Sequence, residues 1–396
     1  MNKKLLSIVV AVLLLMMTAC SSGGSKTSGG GSGADSETIK IGGIFSSSGG
    51  ASPLGKPELD TVKMLTKEIN DNGGINGKKI ELIPYDAKSD QNEAVLAMKK
   101  LTEQDHVVGI IGGTTSGNTL AMIPLAEKAE VPFISLASSK QIVHPDDGSS
   151  RKWIFKTAQG DDIVIPRILN YLKDKGWTKV AWMNVANSFG TGGHETFKAL
   201  ASDYGVQAVI EEEFEADVKD AKSMLTRVKK ADPQAIIVWG TAQESAVVTK
   251  NIRQLGMDVP IIESHGIASK DFIKLAGDAA NGVVFPGGRL LVADQVPDAN
   301  AQKKNLMDYK KDFSEHYDYP VSTFGGHAWD AFHIMIEAIK AEGADPAKIR
   351  DHIENETKDF AGITGVFNMS PDNHNGLSAD SLVMIQVKDG EWTLVK

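Results

Sequence analysis

Cysteine is almost missing from this chain of 396 residues: Cys20 stands alone, so no intrachain disulfide can form and the body of the chain holds no thiol for catalysis. Basic runs are also missing. Lys and Arg total 42 against 51 Asp and Glu, a formal charge of −9 with a pI near 5.6, which argues against nucleic acid or another polyanion as partner. The apolar run from Leu5 to Met17 is too short for a comfortable membrane span. Motifs of catalysis are absent or broken. No G-x-S-x-G elbow occurs, since Ser116 sits in a G-x-x-S-G context, and the nine histidines show no zinc spacing. Gly190-Thr191-Gly192-Gly193 imitates a dinucleotide loop but has Glu195 where the third glycine belongs, and GGINGKK (residues 73–79) lacks the spacing and the Ser/Thr of a phosphate loop. An enzyme is therefore not expected, nor a cofactor or a metal.

What is present begins with an export head. Lys3 and Lys4, the apolar segment and Thr18-Ala19-Cys20 form a secretory signal, and MTAC resembles a bacterial lipoprotein signal with Met17 where Leu is commonest. This predicts a signal peptide over 1–19 and lipidation of Cys20. The Gly/Ser-rich stretch up to Glu37 has almost nothing to bury and reads as a flexible tether over 20–37.

From Ile39 onward, apolar runs of strand length alternate with segments whose apolar residues recur every three or four positions. IKIGGIF, KIELIPYD, VVGIIGG and PFISLA read as strands, with helices over 59–70, 92–104 and 119–129. The rhythm restarts with WIFKTA, KVAWMNV, AVIEEEF, AIIVWG, PIIES and GVVFPGG, with helices over 163–173, 195–201, 221–229 and 245–255 and a short one near 272–275. Helices over 302–316, 327–341 and 346–357 then precede the strand-like ITGVFNM, SLVMIQVK and EWTLV. Repeated β–α alternation predicts an α/β fold with two doubly wound parallel-sheet lobes, completed by the last hundred or so residues.

The stretch GGTTSGNTLAMIPL (112–125) follows the buried run VVGII and opens a helix near Ser116. A helix start offers unpaired N–H groups and a partial positive charge, and Thr114, Thr115, Ser116 and Thr119 add hydroxyls, which suits a compact anion such as a carboxylate. Its structural alternative is a plain capping loop with Ser116 as N-cap. Ala137-Ser138-Ser139 repeats the chemistry at the neighbouring strand end. VANSFG, WGTAQE and ESHGIAS follow strands of the second half and are expected to face the first pair across a cleft.

IKIGGIFSSSGG, DNGGINGKKIELIPYDAKSD, VVGIIGGTTSGNTLAMIPLAEKAEVPFIS and VSTFGGHAWDA are similar to the extracytoplasmic solute-binding proteins of ABC importers, of the leucine/isoleucine/valine-binding type, along nearly all of 39–396. The resemblance implies a type I periplasmic-binding-protein fold with a three-stranded hinge. One lobe would comprise 38–157 plus 289–378 and the other 158–288 plus 379–396. It implies that Thr115 and Ser116 take a ligand carboxylate, with Ala137, Ser138 and Ser139 as adjacent backbone and hydroxyl partners. Leu54 would line the cleft, Phe189 would stand where a stacking tyrosine is frequent, and Thr241 where another aromatic is common. His265 occupies a position at which amino-acid-binding members usually present a carboxylate for the ligand's ammonium. Glu263 or Glu244 could substitute, or the ligand lacks an amine; for His265 itself, a structural role at the cleft rim and a ligand contact both stay open. The expected function is capture of a branched-chain or other hydrophobic amino acid for import, with a non-amino-acid carboxylate such as an aromatic acid as the alternative and a ligand-sensing surface receptor as the reading from another class. Expected partners are the small carboxylate ligand and ABC permease subunits. The protein would be a monomer, lipid-anchored on the outer face of a Gram-positive cell membrane. Phe324-Gly325-Gly326-His327 reads as the start of a helix, and the tryptophans as core.

Overall fold

The computed structural model describes residues 38–149 and 151–395; the expected signal peptide, Cys20 and the tether lie outside them. In the first part, β1 (Ile39–Phe45), α1 (Ser52–Asp71), β2 (Ile80–Asp86), α2 (Gln91–Lys100), β3 (Gly109–Gly112), α3 (Ser116–Ala129), β4 (Phe133–Ser135) and β5 (Ile154–Lys156) alternate. Their strands form one parallel sheet in the order β2-β1-β3-β4-β5. β3, GIIG, is buried along its whole length, as a central strand covered on both faces should be. Helix starts are marked by side chains: the Asp90 carboxylate caps α2 by accepting from the amides of Asn92 and Glu93, and the Thr115 hydroxyl caps α3 by accepting from Asn118.

The second part repeats the plan with α4 (Asp161–Asp174), β6 (Lys179–Val185), α5 (Ser188–Leu200), β7 (Gln207–Phe214), α6 (Lys222–Ala231), β8 (Ala235–Trp239), α7 (Ala242–Gln254), β9 (Ile261–Glu263), α8 (Lys270–Ala276) and β10 (Val284–Gly288). The tail adds α9 (Lys303–His316), α10 (Thr323–Glu342), α11 (Pro346–Glu356), β11 (Phe360–Ala361), β12 (Val366–Phe367), β13 (Leu382–Lys388) and β14 (Glu391–Leu394). The second sheet runs β14-β13-β10-β9-β8-β6-β7, parallel from β7 to β10 and closed at one edge by the antiparallel β13 and β14. Each parallel portion has the same order, with its first strand lying between the second and the third. Each sheet therefore has a topological switch point, where loops diverge from the carboxyl ends of its strands.

The tail is shared between the lobes. Tyr309, Phe313, Phe332 and Met335 pack into the core that holds Phe45, Val62 and Leu65, whereas Ile385 and Trp392 join Met183, Val238 and Phe285 in the second core. Chain segments pass between the sheets after β5, after β10 and before β13. In the middle one, Leu290 enters the first core and Val292 the second.

Several boundaries differ from the periodicity reading, for identifiable reasons. α1 starts at Ser52 because its first turns bury Leu54, Gly55, Pro57 and Glu58, a composition with no amphipathic signal. α5 starts at Ser188, since three glycines in its first turns hide the helical pattern. They serve close packing: a Cβ on Gly190 would lie 1.7 Å from the Val185 carbonyl, and one on Gly193 2.2 Å from the Trp239 ring. ITGVFNM yields only β12, because the amides of Ile363 and Thr364 donate to the buried Asp330 carboxylate at 2.5 and 2.7 Å instead of to a neighbouring strand.

Candidate ligand-binding site

A cavity of about 410 Å³ lies where the loops of the two switch points meet. The first sheet supplies Leu54 beyond β1, Thr115, Ser116 and Gly117 after β3, and Ala137 with Ser138 after β4. The second answers with equivalent loops: Asn187, Ser188 and Phe189 after β6, Thr241 and Glu244 after β8, and His265 after β9. Three helices of the doubly wound lobes, α3, α5 and α7, thus begin at the cavity wall, each bringing the positive end of its dipole.

The tight exit from β3 makes the first wall possible. Gly113 adopts φ +70°, donates its amide to the Ile44 carbonyl at 2.8 Å, and has no room for a side chain, since a Cβ would meet the Thr119 hydroxyl at 2.3 Å. Beyond it, the amides of Ser116 and Gly117 have no acceptor among the described residues, as the first positions of a helix require. The Ser138 amide is likewise unpaired among them. The Ser116 hydroxyl accepts from the Ser139 amide at 3.3 Å and keeps its own hydrogen to donate. A small oxyanion is matched by this set of donors.

The facing wall is aromatic. The Phe189 and His265 rings meet edge to face with centroids 5.6 Å apart, and both lie against Trp239 at 5.4 and 5.7 Å. Phe324 and His327, from the first turns of α10, close the cavity from the first lobe. His327 is oriented by a contact of 2.8 Å between its Nδ1 and the Thr364 hydroxyl, and its carbonyl accepts from the Thr157 hydroxyl at 2.9 Å.

Charge around the cavity is arranged indirectly. Among the described residues no Lys or Arg lines it, and Glu244 is the one acid that does. The Glu244 carboxylate accepts from the amide and the hydroxyl of Thr241, at 2.7 and 2.9 Å, and burial shifts its pKa upward. Burial holds His265 and His327 down at about 3, so both imidazoles are neutral at pH 7; the nearby Lys156 ammonium lowers both further, and His327 also lowers His265. Lys156 itself is wholly buried behind the loop after β4, where its ammonium donates to the carbonyls of Ser138 and Ser139. Burial pushes Lys156 down and Asp161 up, while attraction between these opposite charges works against both shifts; Asp162 opposes the shift of Lys156 and, as a like charge, adds to that of Asp161.

Leu54, Thr115, Ser116, Ala137, Ser138, Phe189, Thr241 and His265, singled out from the sequence, all line this cavity. Ser139 does not. It is 1% exposed, with its hydroxyl accepting from the Gln141 amide and its amide donating to Ser116, so it braces the wall. Thr119 also stays behind the wall, its hydroxyl bound to the Gly113 carbonyl and Ser135, and the Thr114 hydroxyl is spent on buried Glu58. The N-cap of α3 is Thr115, one residue before Ser116. Glu263 does not reach the cavity: fully buried, it accepts from the Thr249 hydroxyl and is pushed up to about 8 by burial, leaving it neutral at pH 7. Phe324 and His327 escaped the sequence reading. They do belong to the start of a helix, and only tail packing against the first lobe turns that start into a cavity wall.

The sequence profile described as periplasmic binding protein matches residues 38–391. A leucine-, isoleucine-, valine-, threonine- and alanine-binding protein of Pseudomonas aeruginosa is 25% identical over 364 residues, which cover 91% of this chain and 93% of that one. Among solved structures, an extracellular ligand-binding receptor from Rhodopseudomonas palustris HaA2 superposes with a TM-score of 0.84 at 29% identity, covering 91% of this chain and all of the other. The branched-chain amino acid transporter substrate-binding protein LivJ of Streptococcus pneumoniae, in complex with isoleucine, does so with a TM-score of 0.79, also at 29% identity, over 91% of this chain and 100% of that one. Fold, cleft and sequence agree that the chain belongs to the periplasmic binding protein family, as a solute-binding protein and not an enzyme.

Proposed function

We propose that this protein captures a small carboxylate-bearing solute, a branched-chain or other hydrophobic amino acid, in the cleft between its lobes and delivers it to the permease of an ABC importer. The observation that carries the reading is the pairing of two walls: amides of Ser116, Gly117 and Ser138, unpaired among the described residues, on one side, Phe189 and His265 on the other. Its size falls within the usual range for small-molecule sites. The names of the Pseudomonas relative and of the isoleucine-bound Streptococcus protein support the amino-acid class. Thr115 and Ser116 receive the carboxylate at the positive end of α3, and hinge closure brings Phe189, Thr241 and His265 over the remainder, where exclusion of water strengthens each polar contact. No bond is made or broken. A scavenger of this kind needs about −8 to −10 kcal/mol of binding free energy. Cys20, lipidated after removal of 1–19, would hold a monomeric body on the outer face of a Gram-positive membrane; among the described residues no helix is long and apolar enough to cross one.

One observation favours a second reading, a carboxylate without an amine, such as an aromatic acid. Among the described lining residues no ionised carboxylate is free to meet an ammonium: Glu244 is engaged by Thr241, and His265 is neutral. Thermal-shift titration with leucine, isoleucine and valine beside 4-methylpentanoate and benzoate separates the two. A ligand at about 100 times its dissociation constant adds roughly 2.7 kcal/mol of stability. A shift with the amino acids alone supports the first reading, a shift with the deaminated acids alone supports the second, and no shift with any of them sinks both.

A further inference from the structure

Lys156 lies at the end of β5, immediately before the chain leaves the first sheet for α4. A lysine with 0% exposure is costly unless its charge has work to do and partners to satisfy it. Its partners are specific. Two of the donors go to the carbonyls of Ser138 and Ser139, in the loop whose Ser138 lines the cavity with an amide unpaired among the described residues and whose Ser139 amide donates to the Ser116 hydroxyl. The same loop continues into Lys140, whose amide donates to the Asp161 carboxylate at 3.2 Å, in the first turn of α4 and hence on the second lobe. The other Asp161 oxygen is buried without a partner among the described residues. Gly160 leaves the space between: a Cβ there would stand 2.1 Å from an Asp162 carboxylate oxygen and 3.6 Å from the Lys156 ammonium. In a trans peptide the N–H points opposite to the C=O, so drawing these two carbonyls onto Lys156 directs the Ser139 amide to the Ser116 hydroxyl of the wall and the Lys140 amide to Asp161, and a buried cation sits behind a wall that, among the described residues, holds no Lys or Arg of its own.

We infer that Lys156 is the positioning residue of the carboxylate wall: it holds the 137–139 loop in its binding geometry, supplies the positive charge the wall lacks, and ties that loop to the first hinge crossing through Lys140 and Asp161. This rests on the carboxylate reading of the cavity for its ligand side and on geometry alone for its loop side, so each side has its own test.

Hydrogen exchange of the ligand-free protein tests the loop. In Lys156→Met, which keeps the apolar stem, exchange at the Ser139 and Lys140 amides should accelerate by about tenfold or more while amides of β1 stay unchanged. Equal exchange in variant and wild type overturns the inference. The charge is tested by calorimetric affinities for leucine against leucinamide and for 4-methylpentanoate against its amide. Wild type should prefer whichever acid it binds over the amide, and Lys156→Met should lose about tenfold of that preference. Lys156→Arg, keeping charge and donors, should retain most of it; a Met variant with the full acid preference defeats the charge assignment. If neither acid binds wild type, the carboxylate reading falls and the exchange result alone decides. Should the Met variant not fold, the same exchange and affinity comparisons are made on Lys156→Gln.

Discussion

At the scale of single residues, the site divides donors that face the ligand from donors already consumed by the scaffold. Among the described residues Ser116 keeps a free hydroxyl hydrogen and a free amide, whereas neighbouring Thr114 and Thr119 spend their hydroxyls on Glu58, Gly113 and Ser135. Ser116→Ala should therefore weaken carboxylate ligands by about tenfold or more, with an unfolding midpoint close to wild type; isothermal titration and thermal melting read the two effects separately. His265 decides the other end. Its Nδ1 is buried and unpartnered among the described residues, and the ring is neutral at pH 7. If the natural ligand lacks an amine, His265→Glu should raise affinity for leucine-like amino acids, because an ionised partner for the ammonium is then present. Unchanged leucine affinity in that variant would place the ammonium elsewhere in the cavity.

At the scale of elements, helices begin at the cavity because strands end there, and glycine sets how closely they can pack. The run Gly190-Thr191-Gly192-Gly193, which imitates a dinucleotide loop in the sequence, is used to press α5 onto β6 and β8. Gly193→Ala puts a methyl group 2.2 Å from the Trp239 ring, and that ring is fully buried and supports Phe189 and His265. Overpacking of this kind costs about 1–3 kcal/mol. Urea denaturation should show that loss, and ligand affinity should fall with it, since the aromatic wall must shift to make room. A Gly193→Ala protein with wild-type stability and affinity would mean that α5 is free to move outward.

At the scale of the whole molecule, buried ionisable groups shape stability against pH from both sides. His265 and His327 have folded pKa values of about 3 against an ordinary 6.5, so the unfolded chain binds more protons between these limits. Their contribution is present above about 6.5 and is lost as pH falls toward 3. Glu263 acts in the opposite sense. Raised to about 8, it contributes fully below its ordinary pKa and loses that contribution as pH rises through 8. Denaturation midpoints measured from pH 4 to 9 should fall toward both ends. His265→Phe should make the acid side shallower and Glu263→Gln the alkaline side; a variant whose profile parallels wild type shows that its group does not titrate across folding.

Local order along the chain was legible because it depends on neighbours in sequence. Alternation of buried strands and amphipathic helices, the donors at 115–116 and 138, and the positions of Phe189, Thr241 and His265 at strand ends all follow from short-range pattern and from family resemblance, whereas the Ala137 amide is consumed by the Ser135 hydroxyl. Burial of α1 from its first turn was not legible, since Gly55 and Pro57 mask a helix whose stability comes from contacts distant in sequence. Nor could the sequence tell Ser138, which faces the cavity, from Ser139, which braces it, or show that Glu263 points away while His327 points in. Those distinctions arise only when two sheets and a shared tail pack together. A polar side chain is available to a ligand only if no nearer protein partner has claimed it, and the identity of that partner is a fact of three dimensions.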